Sequence, residues 1–282
     1  MGVDVGGTKT LVAVLTDKGV IVESRKFPTP RNYHNFLLEL RHCLAQFEHT
    51  DYLAGGVGIA VSRYNRDKGM AYVFGNLPWH DVQIQHDMEK VLKCPVVIEN
   101  DAKMASLSEA MLLKGKYSRV LYVTISTGIG YGLTVDQKID PNIGDAGGHA
   151  ILLEHNGKLE KWESFASGKA IVERYGKRAQ DIDDEATWKA IVRDLKLGFL
   201  ELIAVMQPDV IVVGGGVGAY FERFQDLLIT ELKQYETPAN PIPVIAKAQR
   251  PEEAVIYGCY DLAKAVFSTM PVVKKKAHAK AA

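Results

Sequence analysis

The chain has 282 residues, of which 47% are hydrophobic and 24% are charged, so it is long and apolar enough for one large or two medium globular domains. Lys plus Arg and Asp plus Glu each number 34, so the formal net charge is zero and neither a nucleic-acid partner nor a membrane partner is indicated. The three cysteines are widely separated and form no metal-ligand cluster. Together with the missing signal-peptide pattern they predict a cytoplasmic protein.

The first part of the chain predicts strands followed by alternating helices and strands. Apolar runs predict strands at residues 1–5, 10–16, 20–27, 56–61 and 95–98. Asn32 can cap a helix that runs to about residue 48, a second helix ends at residues 89–92, and a third covers residues 101–113.

The second part of the chain repeats this order. Strands are predicted at residues 119–125, 130–135 and 209–213, and helices at about 170–175, 186–206, 220–236 and 252–267. The repetition predicts an α/β fold of two similar halves. We expect one domain over residues 1–115 and a second over 116–270, with the last helix packing back on the first domain. Residues 271–282 form a short basic tail that we expect to be disordered.

Two glycine-rich hairpins stand in matching places of the two halves: DVGGTKT at residues 4–10 and STGIGYG at residues 126–132. Glycines allow a tight turn and let a phosphate group approach the backbone N–H groups. In the first hairpin Thr8 and Lys9 add donors, and Asp4 could hold Mg²⁺ through water. Either motif alone could be an ordinary β-hairpin, but two in matching places favour a phosphate site. Neither is a P-loop, since no GxxxxGK[ST] occurs.

A third glycine run, GGGVG at residues 214–218, follows a buried strand and opens a helix. Gly214, Gly216 and Ala219 match a dinucleotide-binding fingerprint, with Glu236 at about the expected distance downstream. A strand end that binds adenosine explains the run equally well. A dehydrogenase would leave both glycine hairpins unexplained.

Between the two hairpins, the residues Glu99-Asn100-Asp101 join a predicted strand to a predicted helix. A helix N-terminus favours the ionised form of Asp101, which could accept a proton from an acceptor hydroxyl during phosphoryl transfer. A helix cap is the alternative role for Asp101. Asn100 carries a donor and an acceptor, which suits sugar hydroxyls. The pattern predicts a phosphotransferase.

These motifs, together with NLPW at residues 76–79, GGH at 147–149, WESFASG at 162–168 and VVGGGV at 212–217, resemble the ROK (repressor, ORF, kinase) family of sugar kinases. The resemblance implies an actin-like ATPase fold of the hexokinase type, which is ribonuclease H-like, with two similar α/β domains and a cleft between them. It implies ATP-dependent, glucokinase-like phosphorylation of a hexose at its 6-hydroxyl. Family repressors carry an N-terminal helix-turn-helix; because this chain begins at its first strand, we do not expect the repressor role. We also expect a homodimer.

The resemblance also implies roles for individual residues. Asp101 would be the base and Asp4 would organise Mg²⁺ through water. The sugar would contact Asn76, Asn100, Asp101, His149 and Glu163, the phosphates would face Gly6, Gly7, Thr8, Lys9, Thr127 and Gly128, and the adenosine would face Gly215 and Gly216.

The sequence departs from the family pattern in the acceptor region and in a metal motif. The segment between His149 and Glu163 lacks the cysteines that usually hold a structural zinc, so we expect none. Ala146 replaces a glutamate that usually contacts the sugar; Asp145 would substitute for it only if the loop shifts. Ala60-Val61 replaces a usual Pro-Gly.

These departures keep other functions open. The loop without cysteines also resembles that of polyphosphate-using glucokinases, so one alternative is a polyphosphate-dependent gluco/mannokinase. Ala146 removes a sugar contact and would relax discrimination at the 2-position of the sugar, so another alternative is an N-acyl hexosamine kinase. A non-catalytic sugar-binding regulator is a second alternative. Both Asp4 and Asp101 are present, which favours catalysis, because a regulator needs neither a metal nor a base.

Overall fold

The computed structural model describes residues 1–250 and 252–268, so the predicted tail at 271–282 lies outside the described residues. Most residues of this part belong to helices or strands. The strands are β1 (Gly2–Val5), β2 (Lys9–Leu15), β3 (Ile21–Pro28), β4 (Gly55–Ile59), β5 (Val61–Asn65), β6 (Met70–Phe74), β7 (His80–Val82), β8 (Val96–Asn100), β9 (Arg119–Ile125), β10 (Ile129–Val135), β11 (Lys138–Ile139), β12 (Leu152–His155), β13 (Lys158–Lys161), β14 (Val210–Gly214) and β15 (Val244–Lys247). The helices are α1 (Tyr33–Leu44), α2 (Ile84–Leu92), α3 (Asp101–Leu112), α4 (Trp162–Ala166), α5 (Gly168–Tyr175), α6 (Glu185–Met206), α7 (Gly215–Gly218), α8 (Gln225–Lys233) and α9 (Ala254–Phe267).

Each half of the chain builds a five-stranded sheet with the same strand order. In the first sheet the order is β3-β2-β1-β4-β8, and in the second it is β11-β10-β9-β14-β15. The first three strands of each sheet are antiparallel, and the last two run parallel to β1 or to β9. The repeated topology confirms the predicted α/β architecture of two similar halves.

The central parallel strands are apolar along their whole length because both faces of each sheet are covered. All five residues of β4 and all five residues of β14 are buried. The edge strand β3 instead alternates between exposed and less exposed residues, as expected for a strand with one solvated face.

The last helix, α9, lies against the first sheet and against α3. A Cβ atom built at Gly258 of α9 would lie 1.9 Å from the carbonyl oxygen of Met104, and one at Gly56 of β4 would lie 2.4 Å from that of Cys259. Only glycine permits such close approach of one backbone to another. The end of the chain is therefore part of the core around α3, the helix that begins at Asp101.

Two predicted helices differ from the structure. The first ends at Leu44 rather than near residue 48. The helix predicted over 220–236 is split into a 3₁₀ turn at Phe221–Arg223 and α8, because Phe224 has a φ of −134°, far from the helical value. Its buried ring stacks on Trp188 at 5.0 Å between ring centroids, so tertiary packing interrupts the helix.

The sequence patterns did not identify several short elements. A three-stranded antiparallel sheet of β5, β6 and β7 follows the first sheet, and β12 and β13 form a separate hairpin. Their strands are short and mix charged with apolar residues, so the alternation is too brief to predict. β15 was missed as well. The β5–β7 sheet forms one wall of the cleft described next.

Candidate active site

A cleft between the two halves collects all five residues predicted to contact the sugar. Its floor is the junction of β8 and α3, and its walls come from the loop after β4, the end of β6, the second glycine hairpin and the loop before His149. The predicted acceptor-site residues that line it are Asn76, Asn100, Asp101, His149 and Glu163, joined by Gly128 of the second hairpin and by Asp145 and Ala146.

Two partly buried carboxyl groups lie near the ends of strands of the first sheet: Asp4 in β1, and Asp101 directly after β8. Burial raises the pKa of Asp101 to about 6, and a hydrogen bond from the backbone N–H of Ala102 opposes this rise. Burial, and then the nearby charge of Asp101, raises the pKa of Asp4 to about 7. The helix N-terminus was expected to favour the ionised form of Asp101, but burial outweighs the backbone hydrogen bonds that lower its pKa. Asp101 nevertheless ionises below neutral pH.

Asn100, and not Asp101, caps helix α3. Its Oδ1 accepts hydrogen bonds from the N–H groups of Ala102 at 2.9 Å and Lys103 at 3.3 Å. Its Nδ2 donates to the carbonyl oxygen of Val61 at 3.0 Å. The cap fixes the Asn100 side chain beside the cleft. Asp101 is the first helical residue, and its Oδ1 also accepts the N–H of Ala102, at 2.8 Å.

The first glycine hairpin opens toward solvent beside the acceptor wall. The N–H of Gly6 donates to the carbonyl oxygen of Lys9 at 3.1 Å, while Thr8 and Lys9 are exposed. A Cβ atom at Gly7 would lie 2.7 Å from Cβ of Asn76, so glycine is required where the hairpin touches that wall. The predicted phosphate residues of this hairpin are thus accessible and adjacent to Asn76.

The second glycine hairpin is tied to two of the predicted sugar residues. Glu163 Oε2 accepts a hydrogen bond from the N–H of Ile129 at 2.9 Å, and Glu163 Oε1 lies 3.7 Å from Nδ1 of His149. A Cβ atom at Gly128 would lie 2.3 Å from Glu163 Oε2. Glu163 therefore connects the hairpin to His149, a link that sequence reasoning missed. Thr127 is exposed at the tip.

The third glycine run lies next to the second hairpin. A Cβ atom at Gly215, whose φ is +83°, would lie 2.5 Å from Oγ1 of Thr124, and Gly216 has no neighbour within 4 Å of such an atom. The helix that follows, α7, has only four residues. The backbone at Gly216 is therefore open beside the second glycine hairpin. A dinucleotide-binding fold would instead continue into a long helix.

Four charged side chains form a partly buried cluster behind Asn100, and the sequence analysis did not identify it. Arg66 and Lys103 are its cations, and Glu99 and Asp145 are its anions. Lys103 Nζ lies 2.6 Å from Oδ1 of Asp145. The suggestion that Asp145 replaces the missing glutamate is not borne out in this conformation, because its carboxylate is held by two cations. A lysine four residues after Glu99, on a helix that begins at a buried strand end, was the available signal.

The segment between His149 and Glu163 forms the β12–β13 hairpin with a turn at Asn156 and Gly157, both of positive φ. The ring of His155 stacks on Phe165 at 4.1 Å between centroids. Within the described ranges, no group of three or more His, Cys, Asp and Glu side chains is placed to hold a metal ion. The absence of zinc stays a prediction.

The ROK family model matches residues 1–266. This chain belongs to the ROK family. The glucokinase of Streptomyces coelicolor is 26% identical over 94% of this chain and 97% of its own length. The ROK glucokinase structure from Streptomyces griseus, in complex with glucose and AMPPNP, has a TM-score of 0.79 at 23% identity, covering 94% of this chain and 98% of that one. The polyphosphate/ATP-glucomannokinase of Arthrobacter sp. strain KM gives a TM-score of 0.71 at 24% identity, covering 94% and 97%.

These similarities confirm the family resemblance and the predicted fold of ROK sugar kinases. Among the residues that the structure describes, no helix combines the length and apolar character that crossing a membrane requires.

Proposed function

We propose that this protein is an ATP-dependent hexose kinase that transfers the terminal phosphate of ATP to the 6-hydroxyl of glucose or a closely related hexose. The observation that carries the proposal is the position of Asp101, a carboxylate at the floor of a cleft that also contains the second glycine hairpin. The sugar-kinase relatives support it, among them a glucokinase whose structure contains glucose and AMPPNP.

Asp101 acts as the base in this proposal. It orients the acceptor hydroxyl and takes its proton as the bond to phosphorus forms and the bond to the leaving phosphate breaks. Its pKa of about 6 keeps it ionised at neutral pH and close enough to neutrality to accept a proton. Asn76, Asn100, His149 and Glu163 bind the remaining hydroxyls, with His149 and Glu163 at the anomeric end.

The donor site lies along the two glycine hairpins and the third glycine run. Gly6, Gly7, Thr8, Lys9, Thr127 and Gly128 face the phosphates, and Gly215 and Gly216 face the adenosine. The Mg²⁺ that the fold implies fits here, because the nearby charge of Asp101 helps to raise the pKa of the buried Asp4 carboxyl, and a cation would relieve that repulsion. Asp4 would hold the ion through water, and the ion would supply charge neutralisation of the phosphates.

Two alternatives concern the substrates. A polyphosphate donor is supported by the cysteine-free hairpin and by the fold shared with the Arthrobacter glucomannokinase. An N-acyl hexosamine acceptor is supported by Ala146, which lines the cleft with a small apolar side chain in place of a glutamate. A cytoplasmic location accords with three free, buried cysteines, and a homodimer rests on the family resemblance.

A matrix of sugars against donors tests the proposal. Glucose, mannose, fructose, N-acetylmannosamine and N-acetylglucosamine are each incubated with ATP, GTP or polyphosphate plus Mg²⁺, and the sugar phosphates are identified by mass spectrometry and ³¹P NMR. We expect hexose 6-phosphate from ATP. If calorimetry shows that the protein binds sugars but no donor gives a sugar phosphate, the protein is instead the non-catalytic regulator.

A further inference from the structure

Lys103 is a buried cation two residues after Asp101. Its side chain has no exposed surface, and its Nζ lies 2.6 Å from Oδ1 of Asp145 and 3.9 Å from Oε1 of Glu99. It also donates a hydrogen bond to the carbonyl oxygen of Pro141 at 2.8 Å. Both Pro141 and Asp145 belong to the loop between β11 and His149, so a side chain of the first half holds a loop of the second half.

Arg66 holds the same two carboxylates from the other side. It lies in the turn between β5 and β6, and it donates from Nε to Oε2 of Glu99 at 2.9 Å and from Nη2 to Oε1 of the same carboxylate. Nη2 also lies 3.1 Å from Oδ1 of Asp145. A planar guanidinium is suited to this bidentate contact, and its side chain is 31% exposed.

The cluster contains two positive and two negative charges, so its net charge is zero. This neutrality matters because most of the surface of these side chains is buried. Breaking a buried ion pair leaves an uncompensated charge, which costs far more than a surface pair contributes. The cluster connects three segments: the β5–β6 turn, the β8–α3 junction with Asn100 and Asp101, and the loop that carries Ala146. Neither Arg66 nor Lys103 lines the cleft, so both act on it through other residues.

We propose that Arg66 and Lys103 are positioning residues for the sugar acceptor: by holding Asp145, they fix the Asp145–Ala146 loop of the second half against Asn100 and Asp101 and thereby set the shape of the acceptor site. This inference rests on the proposed kinase function. It explains why Asp145 lines the cleft while its carboxylate pairs with two cations instead of binding the sugar. The shape of the sugar site then depends on contacts between the two halves.

Lys103→Met tests the proposal, because methionine keeps most of the volume and removes the charge. We expect the KM for the preferred hexose to rise about tenfold or more while the KM for the nucleotide changes less than about twofold. Lys196→Met is the matched control, since Lys196 and Glu231 form a partly buried pair with the same N–O distance, 2.6 Å, on α6 and α8. The control should leave both KM values unchanged.

The double variant Lys103→Met/Asp145→Leu separates positioning from stability. It removes both charges, so thermal stability should recover relative to Lys103→Met. The raised KM for hexose should persist, because the loop is no longer held. Recovery of both stability and hexose KM would show that the cluster is only structural and would overturn the proposal. The conservative Arg66→Lys variant should show an intermediate hexose KM, as it keeps the charge and loses the bidentate contact.

Hydrogen exchange on the ligand-free proteins gives a readout independent of turnover. Amides at residues 140–147 should exchange faster in Lys103→Met than in the wild type and in Lys196→Met. Unchanged exchange in this loop, or a hexose KM within about twofold of the wild type, contradicts the positioning role. If the wild type forms no sugar phosphate, the proposed function fails, and the exchange measurement still decides whether the cluster fixes the loop.

Discussion

At the scale of single residues, the cleft combines carboxyl groups whose ionisation burial disfavours, such as Asp101, with side chains that fix the neighbouring backbone, such as Asn100. Asp101 is the first residue of α3, and the cap supplied by Asn100 leaves its carboxylate available to an acceptor. Ala146 lines the same cleft, at the place where the family resemblance implied a glutamate. Three predictions follow from these two positions.

Asp101→Asn should lower kcat by roughly 10²-fold or more, because the amide keeps the shape but cannot accept a proton. Hexose affinity, measured by calorimetry without nucleotide, should remain within a few-fold of the wild type. In the wild type, kcat should fall as pH drops through about 6, where Asp101 becomes protonated. A variant with near-normal turnover would exclude Asp101 as the base.

The same substitution should stabilise the ligand-free protein at high pH. The folded pKa of Asp101, about 6, lies above its ordinary value of 3.8, so ionisation opposes folding and stability is lost as pH rises through about 6. At pH 8 Asp101→Asn should therefore raise the free energy of unfolding by about 1–3 kcal/mol, with a much smaller gain near pH 4. Urea unfolding at the two pH values measures it; an equal effect at both would refute the burial argument.

Ala146→Glu should restore a hydrogen-bonding partner for hydroxyls near the anomeric carbon. A hydrogen bond to a charged group contributes about 1.5–3 kcal/mol, so the KM for the preferred hexose should fall about tenfold or more. The glucose-to-mannose ratio of kcat/KM should rise, with little change in nucleotide KM, because a site without a polar partner cannot strongly reject an altered hydroxyl. Loss of activity on every sugar would mean that Ala146 lines space the substrate occupies.

At the scale of elements, the second glycine hairpin and α4 act as a unit through Glu163. The carboxylate fills the space where a side chain of residue 128 would stand and accepts the N–H of Ile129. Its other oxygen faces His149. In the proposed function, the sugar end and the phosphate end of the cleft therefore share one side chain, Glu163.

Gly128→Ala should weaken the binding of both substrates, because the new Cβ atom would lie 2.3 Å from Glu163 Oε2 and displace that carboxylate. We expect the KM values for hexose and nucleotide each to rise several-fold. Adding Glu163→Ala should relieve the clash and restore the nucleotide KM, while the hexose KM stays high. Steady-state kinetics of the single and double variants measures this, and an unchanged nucleotide KM in Gly128→Ala would show that hairpin and carboxylate are independent.

At the scale of the whole molecule, two sheets of corresponding strand order both contact α3, and α9 ties the end of the chain to the first sheet. Residues of both halves line the acceptor site, and the charge cluster spans them. Such an arrangement suits closure of the halves around bound substrates.

Small-angle scattering should show a smaller radius of gyration with glucose and a non-hydrolysable ATP analogue together than with neither. Closure excludes water, which would otherwise accept the phosphate. Each ligand alone serves as the control and should give a smaller change. Identical profiles with and without saturating ligands would contradict a closing cleft.

The sequence by itself determined the repeated succession of strands and helices along the chain, the three glycine turns and the Asn100–Asp101 junction, because these depend on local periodicity and on residues that are close in the chain. Only the tertiary structure decided four features: the β5–β7 wall, the split of the helix at Phe224, the contacts of Glu163 with both Ile129 and His149, and the ion pairs of Asp145 with Arg66 and Lys103. Arg66 and Asp145 stand 79 positions apart. Charges so distant in sequence form a pair only because the fold brings their segments together, and burial then makes an unpaired charge costly. No local sequence pattern shows which residue will be the partner of each.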